Sequence, residues 1–237
     1  MSEAFTLYYW PLPFRGQFVR AVLAHVGASW DEPGSGAVAE IKNRAVTDQP
    51  VPLMAPPVLV DHEAGVTLAQ FPAILMYLGG KFGLIPEDPA LAALAHKIVA
   101  DTNDVLDEIT LFGGRTMWAR SDWESFAEDR LPRWMQIFEE TGTRHGLTHD
   151  GGTMLGTAVP GLADLVTAVL WFTITDKLPQ LRGMLDTNAP SVAALAMRIM
   201  DTPALEAMRA DTGARFGGVY CGGMIEASIR EMLESGG

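Results

Sequence analysis

Between Ala55 and Gly80 the chain reads APPVLVDHEAGVTLAQFPAILMYLGG, and no other run restricts the fold as much. Val58, Leu59 and Val60 make a short strand, DHEAG supplies turn residues, and residues 66–68 return as a second strand. Pro72 then falls in the first turn of a helix, where an N–H would have no intrahelical partner anyway, and Gly79–Gly80 closes the pattern. Upstream, AFTLYYW is rich in β-preferring residues and stops at Pro11, so it reads as a strand, with PLPFRG as a loop. From Gln17 the apolar positions Val19, Val22, Leu23 and Val26 recur at helical spacing until Gly27. Residues 28–52 have little periodicity, and a strand or short helix is hidden there.

The order strand, helix, irregular segment, hairpin, helix is that of a thioredoxin-like α+β domain. LIPEDPA carries two prolines and two acids and reads as a linker. Beyond it no strand pattern recurs. Residues 90–112 are helical in pattern, SDWE at 121–124 matches a capping box before a helix reaching Glu140, and a helix from Gly161 to Ile174 is apolar nearly all round. Pro190 and Pro203 open two more helices, and GGVYCGG breaks the chain before a last one at 224–234. The division is therefore 1–83 for the thioredoxin-like domain, 84–89 for the linker and 90–237 for an all-helical bundle domain.

Composition narrows the function. Hydrophobic residues at 48% supply a large core, and charged residues at 19% are too few for a disordered chain. With 17 basic and 29 acidic side chains the net charge is -12, which repels phosphate backbones and argues against nucleic acid. Cys221 is the only cysteine, so neither a disulfide nor a CxxC pair forms within the chain. MSEAFTLYYW lacks the basic start and long apolar stretch of a secretory signal. The run VPGLADLVTAVLWFTI is interrupted by Asp164 and too short for a membrane span, so the expectation is a soluble cytoplasmic protein. The five histidines are scattered without ligand spacing, and no metal is expected.

YYWP followed by RG, then PPVLVD…TLAQFPAILMYL, then GLADL, resemble in order and spacing the cytosolic glutathione transferases, with the first string closest to the tyrosine-type mu and pi classes. The resemblance spans nearly the whole chain. It implies glutathione as co-substrate, a homodimer, and addition of the glutathione thiolate to a small apolar electrophile held against the helical domain. A free thiol ionises near pH 8.5, so such an enzyme needs a donor that stabilises the thiolate. The resemblance assigns that role to Tyr9, with Tyr8 on the opposite strand face, although the loop from Trp10 to Arg15 is two residues longer than the family pattern.

For the tripeptide, the resemblance implies a cis peptide before Pro57, a γ-glutamyl grip at Gln70 and a backbone N–H from Phe71, where the family usually has serine. Pro56 stands where the family gives both N–H and C=O to glutathione, and proline has no N–H. Asp104 resembles a helix-four acid that reaches the partner subunit's glutathione, although Asp101, Asp107 and Glu108 leave its register open. Lys42 and Arg44 are candidates for the glycine carboxylate, flanked by Trp10 and Arg15. Asp164 resembles the family's structural capping acid, with Gly161 in place of the usual Ser or Thr. An alternative function fits the same residues: a non-enzymatic relative that binds an apolar ligand or a protein in the inter-domain cleft.

Overall fold

The computed structural model describes residues 3–234. Strand β1 (Phe5–Tyr8) is followed by α1 (Arg15–His25), β2 (Trp30–Asp31), α2 (Ser35–Asn43), β3 (Val58–Asp61), β4 (Val66–Ala69) and α3 (Phe71–Lys81). The sheet order is β2-β1-β3-β4, with β1 parallel to β2 and antiparallel to β3, and β3 antiparallel to β4. This is the thioredoxin-like arrangement. Residues 28–52, featureless in sequence, hold β2 and α2; two residues of strand and nine of helix are too short for periodicity to show.

From Pro89 onward helices carry the chain: α4 (Pro89–Ile109), the turn-like α5 (Leu111–Gly114), α6 (Arg120–Ser125), α7 (Leu131–Thr143), α8 (Leu162–Lys177), α9 (Arg182–Asn188), α10 (Pro190–Met200), α11 (Pro203–Phe216) and α12 (Gly223–Glu234). Buried α8 is the centre of this half, and Trp171 on it meets Phe138 of α7 edge to face at 5.5 Å. Helix α1 packs on α3 in its own half and on α8 and α11 in the other, which joins the two. No helix among the described residues is long and apolar enough to cross a membrane.

Two local readings are corrected. Ser121 does not cap a helix: α6 starts at Arg120 behind Ala119, without a side-chain cap. The Arg120 guanidinium is held by the carbonyls of Met232 and Glu231, which fixes this start one residue early. The helix from 121 to 140 is also not continuous. A π turn at Phe126–Arg130 separates α6 from α7 and swings Phe126 into a cluster with Trp118 and Trp123, at 5.1 and 5.8 Å. Helix α9, seven residues long, has no counterpart in the sequence pattern.

Candidate functional site

Strand register brings the predicted residues of the first half together. Tyr8 pairs with Val58, and Val58 with Ala69. One step further toward the same end of the sheet lie Tyr9, Pro57 and Gln70, each where a strand meets a loop or helix. The Pro56–Pro57 peptide is cis, and both prolines are buried. Gln70 is exposed and has φ 73° and ψ 115°, a conformation that non-glycine residues seldom adopt outside functional sites.

Tyr9 is 5% exposed, and its side chain packs against Gly16 in the first turn of α1. Gly16 makes that approach possible, because a Cβ there would sit 2.3 Å from Tyr9 Cδ1. Burial pushes the Tyr9 hydroxyl up to about 12, while the Arg15 charge and the N–H groups of Arg15 and Gly16 pull the other way. The phenol therefore stays protonated at neutral pH: its oxygen accepts from the first N–H groups of α1, and its own proton is left to donate.

The longer loop after Tyr9 is tied down by a residue the sequence did not single out. Arg20 is fully buried; it donates to the carbonyls of Trp10 at 3.3 Å and Leu12 at 3.0 Å, and binds Glu32 through Nε at 2.9 Å and a terminal nitrogen at 2.7 Å. Its guanidinium also lies over the Tyr9 ring at 5.8 Å. The signal was present, since Arg20 interrupts the apolar face of α1, but an arginine in such a pattern ordinarily reads as solvated. The half-buried Trp10 side chain packs against the core. Arg15 lies over the Phe14 ring at 5.0 Å and pairs with Asp107 of α4, so it bridges the two halves.

At the start of α3 no side chain caps the helix, and Pro72 removes one N–H. Phe71 is 1% exposed, and its ring meets Phe18 edge to face at 4.9 Å. The Phe71 side chain thus belongs to the core, and only its backbone faces the row. Lys42 is exposed in the last turn of α2 without an ion pair among the described residues, and Arg44 pairs with Glu40 at 2.5 Å. Among the described residues, no hydrogen bond or ion pair ties either of them to the Tyr9–Pro57–Gln70 row. Asp104 is exposed on α4; partial burial, then Asp101, Asp107 and Glu108, push its carboxyl up.

Asp164 caps α8 from within, accepting from Met154 N at 2.7 Å and Gly161 N at 2.9 Å. The departure at Gly161 has a physical cause: Leu162 N donates to Leu84 O at 2.8 Å, and a Cβ at 161 would lie 2.7 Å from that oxygen. Cys221 is half-buried, and burial, with Glu226 beside it, pushes its thiol up to about 12, which makes it a poor nucleophile at neutral pH.

The family model for the glutathione S-transferase C-terminal domain matches residues 94–232, more than half of the 237-residue chain. The chain belongs to the glutathione S-transferase family. Among solved structures it is similar to the pi-class glutathione S-transferase of Onchocerca volvulus, with TM-score 0.73, 18% identity, and coverage of 93% of this chain and 98% of that one. It is also similar to NaGST-2, with TM-score 0.67, 22% identity and coverage of 88% and 97%. Prostaglandin synthase D of Nilaparvata lugens gives TM-score 0.67 at 17% identity, covering 87% of this chain and 97% of that one. At these identities the likeness speaks for the fold. No curated protein sequence matches the chain.

Proposed function

We propose that the protein is an enzyme that binds glutathione at the Tyr9–Pro57–Gln70 end of the sheet and adds its thiolate to a small apolar electrophile. The observation that carries this reading is the Tyr9 phenol, kept protonated and set against the first N–H groups of α1. A donor there stabilises a thiolate by a charge-assisted hydrogen bond, reinforced by the helix dipole. Gln70 and the uncapped N–H groups of α3 take the γ-glutamyl carboxylate, while cis-Pro57 and the Pro56 carbonyl face the cysteinyl part. Lys42, with Trp10 and Arg15, is assigned to the glycine end.

We assign the electrophile to a cavity of about 420 Å³ at the C-terminal end of α4, lined by Leu111, Phe112, Trp118 and Phe126 together with Glu108, Asp122, Ser125 and Arg130. Phe112 is 67% exposed there, and Asp107, which holds Arg15, adjoins the lining residue Glu108. The protein would work in the cytoplasm as a homodimer, with Asp104 reaching the second copy's glutathione. Tyr9→Phe should lower conjugation at neutral pH by about tenfold or more with fold and melting temperature kept, judged from the loss of one oriented donor. Unchanged turnover would remove Tyr9 from the mechanism.

One observation favours the second reading, a binding protein without turnover. Tyr9 is 5% exposed and packs in the hydrophobic core. Saturable binding of an apolar ligand without conjugation would establish that reading instead.

A further inference from the structure

The hydroxyl of Tyr220 is buried and has no hydrogen-bond partner, in a residue 1% exposed. A buried donor left unmade costs free energy that a structural tyrosine avoids by being phenylalanine, so an orphan of this kind calls for a role. Its surroundings point to one. The Tyr220 ring meets Phe14 of the loop after Tyr9 edge to face, at 5.4 Å and 87°. The charged and titratable groups acting on its hydroxyl are Cys221, Arg15, Tyr9 and Glu226. Burial holds it well above the ordinary tyrosine range, so it is a donor at neutral pH.

The position is built, not incidental. One carboxylate oxygen of Glu226 accepts from the backbone N–H groups of Tyr220 at 2.9 Å, Cys221 at 3.0 Å and Gly222 at 2.6 Å. Its other oxygen is held by Arg230 at 2.9 and 2.7 Å. Gly222 lets the segment close on the loop, since a Cβ there would lie 3.1 Å from Leu12 Cδ2. Glycine pairs at 217–218 and 222–223 bound the segment, with Gly217, Gly222 and Gly223 at positive φ.

We propose that Tyr220, carried by the C-terminal segment that packs on the loop after Tyr9, is a second phenol donor to the glutathione sulfur. This rests on the glutathione reading of the site. Two neutral donors on one thiolate stabilise it more than one does, and the second contact supplies the partner that the Tyr220 hydroxyl lacks. No residue in the N-terminal motifs encodes it.

The test is the isosteric pair Tyr220→Phe and Tyr9→Phe, read by the pH titration of thiolate absorbance of bound glutathione and by ligand-free melting. Tyr220→Phe should melt no lower than wild type without ligand, because only an unpartnered hydroxyl is removed. It should also raise the pH at which bound glutathione ionises by about one unit, the equivalent of one charge-assisted hydrogen bond. Wild-type ionisation in Tyr220→Phe together with a shift in Tyr9→Phe would overturn the Tyr220 assignment alone. Wild-type protein that fails to bind glutathione would overturn the reading of the site and the assignment with it.

Discussion

Two helices of this protein begin in opposite ways. At α8 the start is closed from inside: Asp164 accepts from the N–H of Gly161 and from that of Met154 in the preceding loop, and Leu84 O takes the N–H of Leu162. At α3 nothing closes the start: Gln70 is exposed in a rare backbone conformation, Phe71 turns its ring into the core, and no side chain caps the helix. Both starts depart from the family pattern by a lost hydroxyl. At α8 the departure follows from backbone crowding around Gly161, and the acid still does the capping. At α3 the side chain was given to packing, which leaves the backbone donors for something from outside. The closed start of α8 serves stability, and the open start of α3 is the one we assign to a ligand.

Substitutions at the two starts should therefore fail differently. Phe71→Ala should cost most, about 3–5 kcal/mol of stability from the cavity against Phe18, seen as a melting temperature lower by roughly 10 °C. A loss below about 1 kcal/mol would show that the ring is not the core element described. Asp164→Ala should cost about 2–3 kcal/mol, because two backbone donors lose their buried acceptor, and glutathione affinity in the folded protein should not change. An unchanged melting curve would refute the cap. Gly161→Ser, which restores the family's residue, should destabilise by about 1–2 kcal/mol against Leu84 O; a stabilised protein would mean that the crowding is relieved at no cost.

The smallest effect is one of pH. Glu226 closes the turn at Tyr220–Gly222 much as Asp164 closes α8. Burial acts to raise its pKa, but the Gly222 N–H, Arg230 and the Tyr220 N–H outweigh it, so the carboxyl sits below its ordinary 4.5. A depressed folded-state value means stability that is complete above pH 4.5 and is lost as pH falls through the folded value. Glu226→Gln should therefore be less stable at neutral pH and show a shallower fall in melting temperature on acidification. Parallel curves for the two proteins would refute this linkage.

How much of this was readable depended on whether the signal was local. The hairpin at 58–69 and the helix after it were legible because β-branched runs, a turn string and Pro72 all lie within one stretch. Tyr9, Pro57 and Gln70 could be named because the strings YYWP, PPVLVD and TLAQF resemble those of the family, and strand pairing then places the three residues side by side. Arg20 was hidden because its partners, Glu32 and two loop carbonyls, meet it only in the folded chain. Tyr220 was hidden for the same reason, with Phe14 more than two hundred residues upstream. The SDWE string misled because Arg120 is anchored by α12, a contact that no local motif encodes. Lys42 and Asp104 are exposed charges, and the roles proposed for them need a ligand or a second copy of the chain, so the fold of one chain does not define them.

The central claim is that the open start of α3 is a glutathione site, and calorimetric titration of glutathione into wild-type protein and Gln70→Ala tests it most directly. Saturable binding by the wild type, weakened about tenfold or more in Gln70→Ala, is the predicted result. No binding by the wild type at millimolar glutathione, or equal binding by both proteins, would contradict it.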